Sequence, residues 1–329
     1  MISDAHLDLG MDLLKCHRNG ENRVMEEYYL PEWRRSGVGL IVSAVYLSQM
    51  DSDEAYYHEA MAQIDALEEE LATLNGEVVL CTTGEQVWQA RWTGKIALLL
   101  SLEGAEPIGT DLAKLDAFYA RGVRLLGLTW SRENQAGYGA GYNPNGETDH
   151  LGLKPFGKDL VRRANELGIL IDVSHLNQGG CDDVAALSTR PFFASHSNPR
   201  ALRPMDRNLS DQTIAAIVAS GGMIGANGYS GLVDHPEQAT VARLADHIEY
   251  LCRRAGRNRV GLGLDLMIRI SGGSDTFTYQ GVTVPAFDIL PDHAAMDTLR
   301  WELGERGWFA PEIAAVVGEN WFEFFKRSL

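Results

Sequence analysis

Eight short apolar runs, separated by stretches of helical periodicity, set the frame of this chain. They are ISDAHLDL from Ile2, VGLIVSAVYL from Val38, IALLLSLEG from Ile96, GVRLLGLTW from Gly122, GILIDVSH from Gly168, PFFASHS from Pro191, GGMIGANGY from Gly221 and RVGLGLDL from Arg259. Their length and composition read as strands. In the amphipathic helix expected over 54–75, Ala60, Ile64, Leu67, Leu71 and Leu74 recur at helical spacing, and Gly76 follows as its C-cap. The same reasoning predicts helices over 112–121, 157–167, 210–220, 241–255 and 311–326, several of them closing on a glycine (Gly122, Gly168, Gly221) just before the next strand. Strand then helix, repeated eight times, predicts an α/β fold of the (β/α)8 TIM-barrel type, a single domain over 1–329 with its functional side chains at the C-terminal ends of the strands. Two stretches without periodicity, about 131–155 and 266–290, are expected as long loops over the barrel mouth.

The strand ends carry the chemistry. His6 and Asp8 stand two residues apart, a spacing that puts both side chains on one face of a strand. Glu103 closes the third run, where a carboxylate is unfavourable unless it is paired, hydrogen-bonded or coordinating a metal, and its two oxygens suit it to bridging two ions. His175 and His196 close the fifth and sixth runs. Imidazole and carboxylate ligands without a thiolate suit a catalytic zinc or a similar divalent ion with open positions, placed at the C-terminal face of the strands. Asp265 ends the eighth run and is read either as the partner of an arginine or as the group that handles the proton of an activated water. Arg207, in RPMDRNLSD, is either a clamp for a substrate carboxylate or oxyanion or a solvated loop arginine. The other histidines (His17, His58, His150, His235, His247 and His293) lie in loops or helices and are read as structural or solvated.

A chain of 329 residues exceeds the roughly 250 that such a barrel needs. Its net charge of −16 argues against a nucleic-acid backbone or an anionic membrane surface as partner. The four cysteines (Cys16, Cys81, Cys181, Cys252) form no Cys-x-x-Cys pair, so neither a thiolate zinc site nor a redox motif is expected. The apolar runs fall short of the roughly 20 residues that span a bilayer. No signal peptide is read at the start, and the expected location is cytoplasmic.

The motifs DAHLD, SLEG, FGKDLVRRANELGILIDVSH, ASHSNPRAL, RNLSD, GMIGANGY, DHIEYLCRRAGRNRVGLGLD and VVGENWFEFF, in this order, resemble the renal (membrane) dipeptidase family of zinc dipeptidases, within the amidohydrolase-like barrels. The resemblance runs nearly end to end. It implies two zinc ions, one held by His6 and Asp8, the other by His175 and His196, with Glu103 bridging them. It further implies a hydroxide between the ions that attacks the scissile carbonyl of a small dipeptide, including L-Xaa-D-Xaa substrates. Asp265 would accept the proton and pass it to the leaving amine, Arg207 would contact the substrate, and Tyr229 would lie near the substrate carboxylate. A homodimer is expected by the same resemblance.

Two departures stand out. Where the family often has Leu-Thr-His after the fourth strand, this chain has Leu128-Thr129-Trp130, an indole donor that cannot take a proton. The family's Asp-Phe-Asp-Gly after strand eight is rewritten here as Asp265-Leu266-Met267-Ile268. Trp130 is therefore a substrate-pocket candidate, and it favours the second reading, a metal-dependent amidohydrolase acting on N-acyl amino acids or another small amide or ester. A non-catalytic barrel is the third reading, and the intact ligand set argues against it.

Overall fold

The parallel strands β1 (Ile2–Leu7), β2 (Val38–Tyr46), β3 (Val78–Leu80), β4 (Ile96–Glu103), β5 (Val123–Gly127), β6 (Leu170–Asp172), β7 (Ile224–Ala226) and β8 (Val260–Leu262) form one curled sheet in the order β6-β5-β4-β2-β1-β8-β7, with β3 added on β4. This computed structural model describes residues 1–141, 147–235, 237–272, 275–279 and 282–329. The segment carrying Phe193 and Ala194 bridges the two ends of the sheet, pairing Asp172 with Phe193 and Ala194 with Ile224 in parallel. Its backbone bonds, Phe193 N to Ile171 O at 3.0 Å and Ala194 N to Met223 O at 3.0 Å, close the ring. The eight staves of the barrel are therefore the eight apolar runs. β3 is an addition the runs did not reveal: it pairs with the lower half of β4, below the edge that β5 takes up from Leu100 onward.

β1, β2 and β4 are buried along almost their whole length, as strands enclosed by helices on one side and barrel interior on the other must be. Leu40, Val42, Leu99, Leu125, Leu170, Phe193 and Met223 form one cluster inside the barrel. The C-terminal segment closes its lower end. Trp321, Phe322, Phe324 and Phe325 are buried against that cluster, and the Trp321 indole donates to the carbonyl of Leu262 at 2.8 Å.

The expected helices are present. The longest, Asp53–Thr73, starts where the Ser52 hydroxyl accepts from Ala55 N at 3.2 Å, which satisfies one free amide of the first turn. The helices Pro155–Leu167 and Asp211–Ser220 end on left-handed Gly168 and Gly221. The segment expected as one helix over 311–326 is instead interrupted by a π-helical turn, Ala315–Glu319. Of the two predicted mouth loops, the second is partly regular: a short helix Ile268–Ser271 leads to an antiparallel hairpin of β9 (Thr276–Tyr279) and β10 (Val282–Pro285). The parts of those loops at 142–146, 273–274 and 280–281 lie outside the described residues.

Candidate metal centre

Every side chain singled out at a strand end arrives at one face of the barrel, around or beside a cavity of about 510 Å³. His6 comes from β1. Asp8 does not share its strand: β1 ends at Leu7, and Asp8 occupies the position before the helix Leu9–Arg18 without capping it. Glu103 is the last residue of β4. His175 and His196 follow β6 and the Phe193–Ala194 stave, and Asp265 follows β8 at a backbone φ of 59°. That left-handed conformation is unfavourable by roughly 1–2 kcal/mol for a residue with a Cβ, and here it turns the carboxylate toward His6.

The donor atoms form two groups that share Glu103. His6 Nε2 lies 3.7 Å from Asp8 Oδ1, 3.6 Å from Glu103 Oε2 and 3.9 Å from Asp265 Oδ1. On the other side, Glu103 Oε1 lies 2.8 Å from His175 Nε2 and 3.5 Å from His196 Nε2, and the two imidazole nitrogens are 2.9 Å apart. Thus one oxygen of Glu103 faces each set.

These residues fit divalent ions on three counts. Donors bonded at ~2.1 Å to one centre stand about 3.4 Å from each other in tetrahedral geometry, close to the spacings around His6. Within 4.8 Å of one another lie donor atoms of His6, Glu103 and His196, and likewise of His6, Asp8 and Asp265. Finally, His6 Nε2 and Asp8 Oδ1 are buried without a hydrogen-bond partner, a condition native proteins avoid unless another ligand satisfies the atoms.

The surrounding hydrogen bonds orient the donors. The Nδ1 atoms of His175 and His196 are engaged by the hydroxyls of Ser131 (2.8 Å) and Ser195 (2.6 Å), leaving each Nε2 toward the cluster. Asp172 in turn accepts from Ser174 N, Ser195 N and both serine hydroxyls. Burial, then the Arg207 guanidinium, depress His175 to about 3, and burial with His6 and Arg207 pushes His196 well below the ordinary imidazole range. Both rings are thereby kept neutral, the form that binds a metal. Burial would also depress His6, but the carboxylates of Glu103, Asp265 and Asp8 outweigh it and raise the ring to about 10. Burial and the Glu103 charge push the Asp8 carboxyl well up, and Asp265 is raised by burial first and by Glu103 second. Three carboxyl groups this close repel one another, and cations would relieve the repulsion.

Arg207 is not a solvated loop residue. It is 1% exposed, with Nη2 3.0 Å from His175 Nε2 and 3.1 Å from the His196 carbonyl, and with Nη1 bonded to the Ser197 hydroxyl and the Ser174 carbonyl. It lies beside the histidines and does not line the cavity. Tyr229, Trp130, Tyr46 and Met267 do line it, together with Asp8, Glu103, His175 and Asp265.

Two groups that the sequence did not single out hold the candidate site residues in place. Asn227 is fully buried: its Nδ2 donates to Asp265 Oδ2 at 3.1 Å, its Oδ1 accepts from Tyr229 N at 2.6 Å, and Asn198 Nδ2 donates to its carbonyl at 3.0 Å. Asp4 Oδ1 accepts from His6 N at 3.3 Å and Leu264 N at 2.8 Å, while His293 Nε2 lies 2.9 Å from Asp4 Oδ2. Asp4 thus ties the end of β1 to the end of β8. GANGY, the end of the seventh run, was a visible signal for Asn227, but nothing local pointed to a pairing of Asp4 with His293.

A barrel with its chemistry at the strand ends, and a shared carboxylate between two histidine sets, define the class: a metal-dependent hydrolase. The sequence profile of the membrane dipeptidase family, peptidase family M19, matches residues 1–328, and the chain belongs to that family. It is therefore a metallopeptidase of the dipeptidase class. An uncharacterized protein from the pqqA 5' region of Klebsiella pneumoniae is 31% identical over 270 residues, 80% of this chain and 94% of its own. Dipeptidase tcpJ of Claviceps purpurea is 28% identical over 259 residues, 74% of this chain and 60% of its own. Among solved structures, a metallo peptidase from Rhodobacter sphaeroides, liganded with a phosphinate mimic of the dipeptide L-Ala-D-Ala, superposes with a TM-score of 0.85 at 27% identity, covering 100% of this chain and 99% of that one. Among the described residues no helix is long and apolar enough to cross a membrane.

Proposed function

We propose that this chain hydrolyses small dipeptides, including those with a D-residue at the C-terminal position, with two zinc ions held by His6 and Asp8 on one side, His175 and His196 on the other, and Glu103 between them. The observation that carries the reading is the placement of Glu103, whose two oxygens face separate imidazole sets. The relative bound to a mimic of L-Ala-D-Ala supports the substrate class. When bound, divalent ions supply Lewis acidity toward a carbonyl oxygen and make water acidic near neutral pH.

The protein's own groups do the rest. Asp265, raised by burial and fixed by Asn227, accepts a proton at its carboxylate from the attacking water and returns it to the departing amine nitrogen. Arg207 presents a buried cation beside His175, where it favours negative charge on the substrate, and Tyr229 lines the cavity from the β7 side. The four cysteines are unpaired and buried, which supports a reducing, cytoplasmic setting, and a homodimer follows the family resemblance.

Metal analysis tests the site. The wild-type protein is expected to hold two zinc ions per chain, and Glu103→Ala to lose at least one of them with a fall in turnover of about a hundredfold or more. Retention of both ions and full turnover by E103A contradicts the bridging role.

A further inference from the structure

The cavity beside the ligands has one wall that neither the metal nor the proton shuttle requires. Trp130 lies over His175, with ring centroids 5.6 Å apart and planes 27° from parallel. Tyr46 packs against the same indole at 5.5 Å and 53°. The Arg132 guanidinium stands 5.3 Å from the indole centroid, and Arg132 is itself fixed by an ion pair of 2.8 Å with buried Glu106 and a bond of 2.7 Å to the Leu47 carbonyl. The indole is therefore wedged among an imidazole, a phenol and an immobilised cation. Both Trp130 and Tyr46 line the cavity, and Met267 adds an apolar side chain to its lining.

We propose that the braced pair Trp130–Tyr46 is a specificity-determining surface that selects dipeptides carrying a large apolar side chain, aromatic or branched aliphatic, over dipeptides of small residues. This rests on the dipeptidase reading and adds to it the substrate class. The reasoning is chemical. Indole and phenol faces gain from apolar contact, and a wall already held by Arg132 and Glu106 loses little freedom when a substrate packs on it. An alanine methyl offers that surface far less apolar area than a phenyl or isobutyl group does. An indole also supplies no titrating group, so the wall discriminates by contact and leaves proton transfer to Asp265.

The test compares kcat/KM for Phe-Ala, Ala-Phe, Leu-Ala and Ala-Ala with the metal-loaded wild type and with Trp130→Ala and Trp130→Phe. The readout is the ratio of each bulky substrate to Ala-Ala within one protein, so a change in metal occupancy or folded fraction cancels. Wild type is expected to favour at least one bulky substrate, W130A to lower that ratio about tenfold, and W130F to restore part of it. If the indole merely buttresses His175, W130A slows all four substrates equally, and the unchanged ratio overturns the proposal. A wild type that prefers Ala-Ala to every bulky substrate overturns it too. Either result leaves the dipeptidase reading standing, because dipeptides are still cleaved. A metal-loaded wild type inert on all four contradicts that reading and this proposal together.

Discussion

Asp4 and His293 illustrate how a residue with no part in the chemistry can set its geometry. Burial works to depress the His293 imidazole, but its contacts with Asp4 (2.9 Å) and Glu32 (3.3 Å) prevail and raise it from 6.5 to about 9. A ring whose proton is held more tightly when folded contributes stability that is complete below pH 6.5 and disappears as the pH climbs through about 9. Between those limits the metal-loaded wild type is expected to lose about 3 kcal/mol more unfolding free energy than His293→Gln, whose amide cannot carry the charge. Denaturant titrations at a series of pH values check this, and parallel curves for the two proteins would refute the assignment. Asn227 acts on the other side of the centre. Asn227→Ala should lower kcat roughly 10–100-fold with KM and metal content less affected, because Asp265 loses the donor that aims it. Of the residues around the centre, those at the strand ends, Asp265 among them, were legible from sequence. Asp4 and His293 are 289 positions apart, and Asn227, though visible in GANGY, is 38 positions from the Asp265 carboxylate it donates to.

At the scale of elements, the alternation of apolar runs and helical stretches was enough to place all eight staves, because parallel strands buried on both faces have few polar positions. The sixth run, PFFASHS, forms only isolated bridges, yet it closes the ring and delivers His196. What periodicity did not give was the short strand β3, the hairpin β9–β10 and the π-helical turn near the C-terminus. The hairpin was hidden because each of its strands is only four residues long, too short for a period to register. Close packing at the staves has a direct consequence. A Cβ added at Gly263 would run into the backbone carbonyl of Ser195, the residue before His196. Gly263→Ala is therefore expected to destabilise the fold by about 3 kcal/mol or more, read as a lowered midpoint of thermal unfolding, since backbone on both sides must shift. An unchanged midpoint would mean that the Phe193–Ala194 stave is free to move away.

For the molecule as a whole, the fold explains why distant motifs converge. His6, Glu103, His175, His196 and Asp265 span most of the chain, and the barrel brings them to one face because each ends or follows a stave. Family membership and fold agree, and Trp130, where the family often carries a histidine, falls on the cavity wall. The central claim, a metal-dependent dipeptidase with its ions held by the Glu103-centred cluster, is tested most directly by assaying a panel of L,L- and L,D-dipeptides with N-blocked controls, using zinc-loaded and chelator-treated protein. The expected result is release of free amino acids from unblocked dipeptides by the zinc-loaded protein alone. Turnover that survives chelation, or turnover confined to the N-blocked controls, would contradict it.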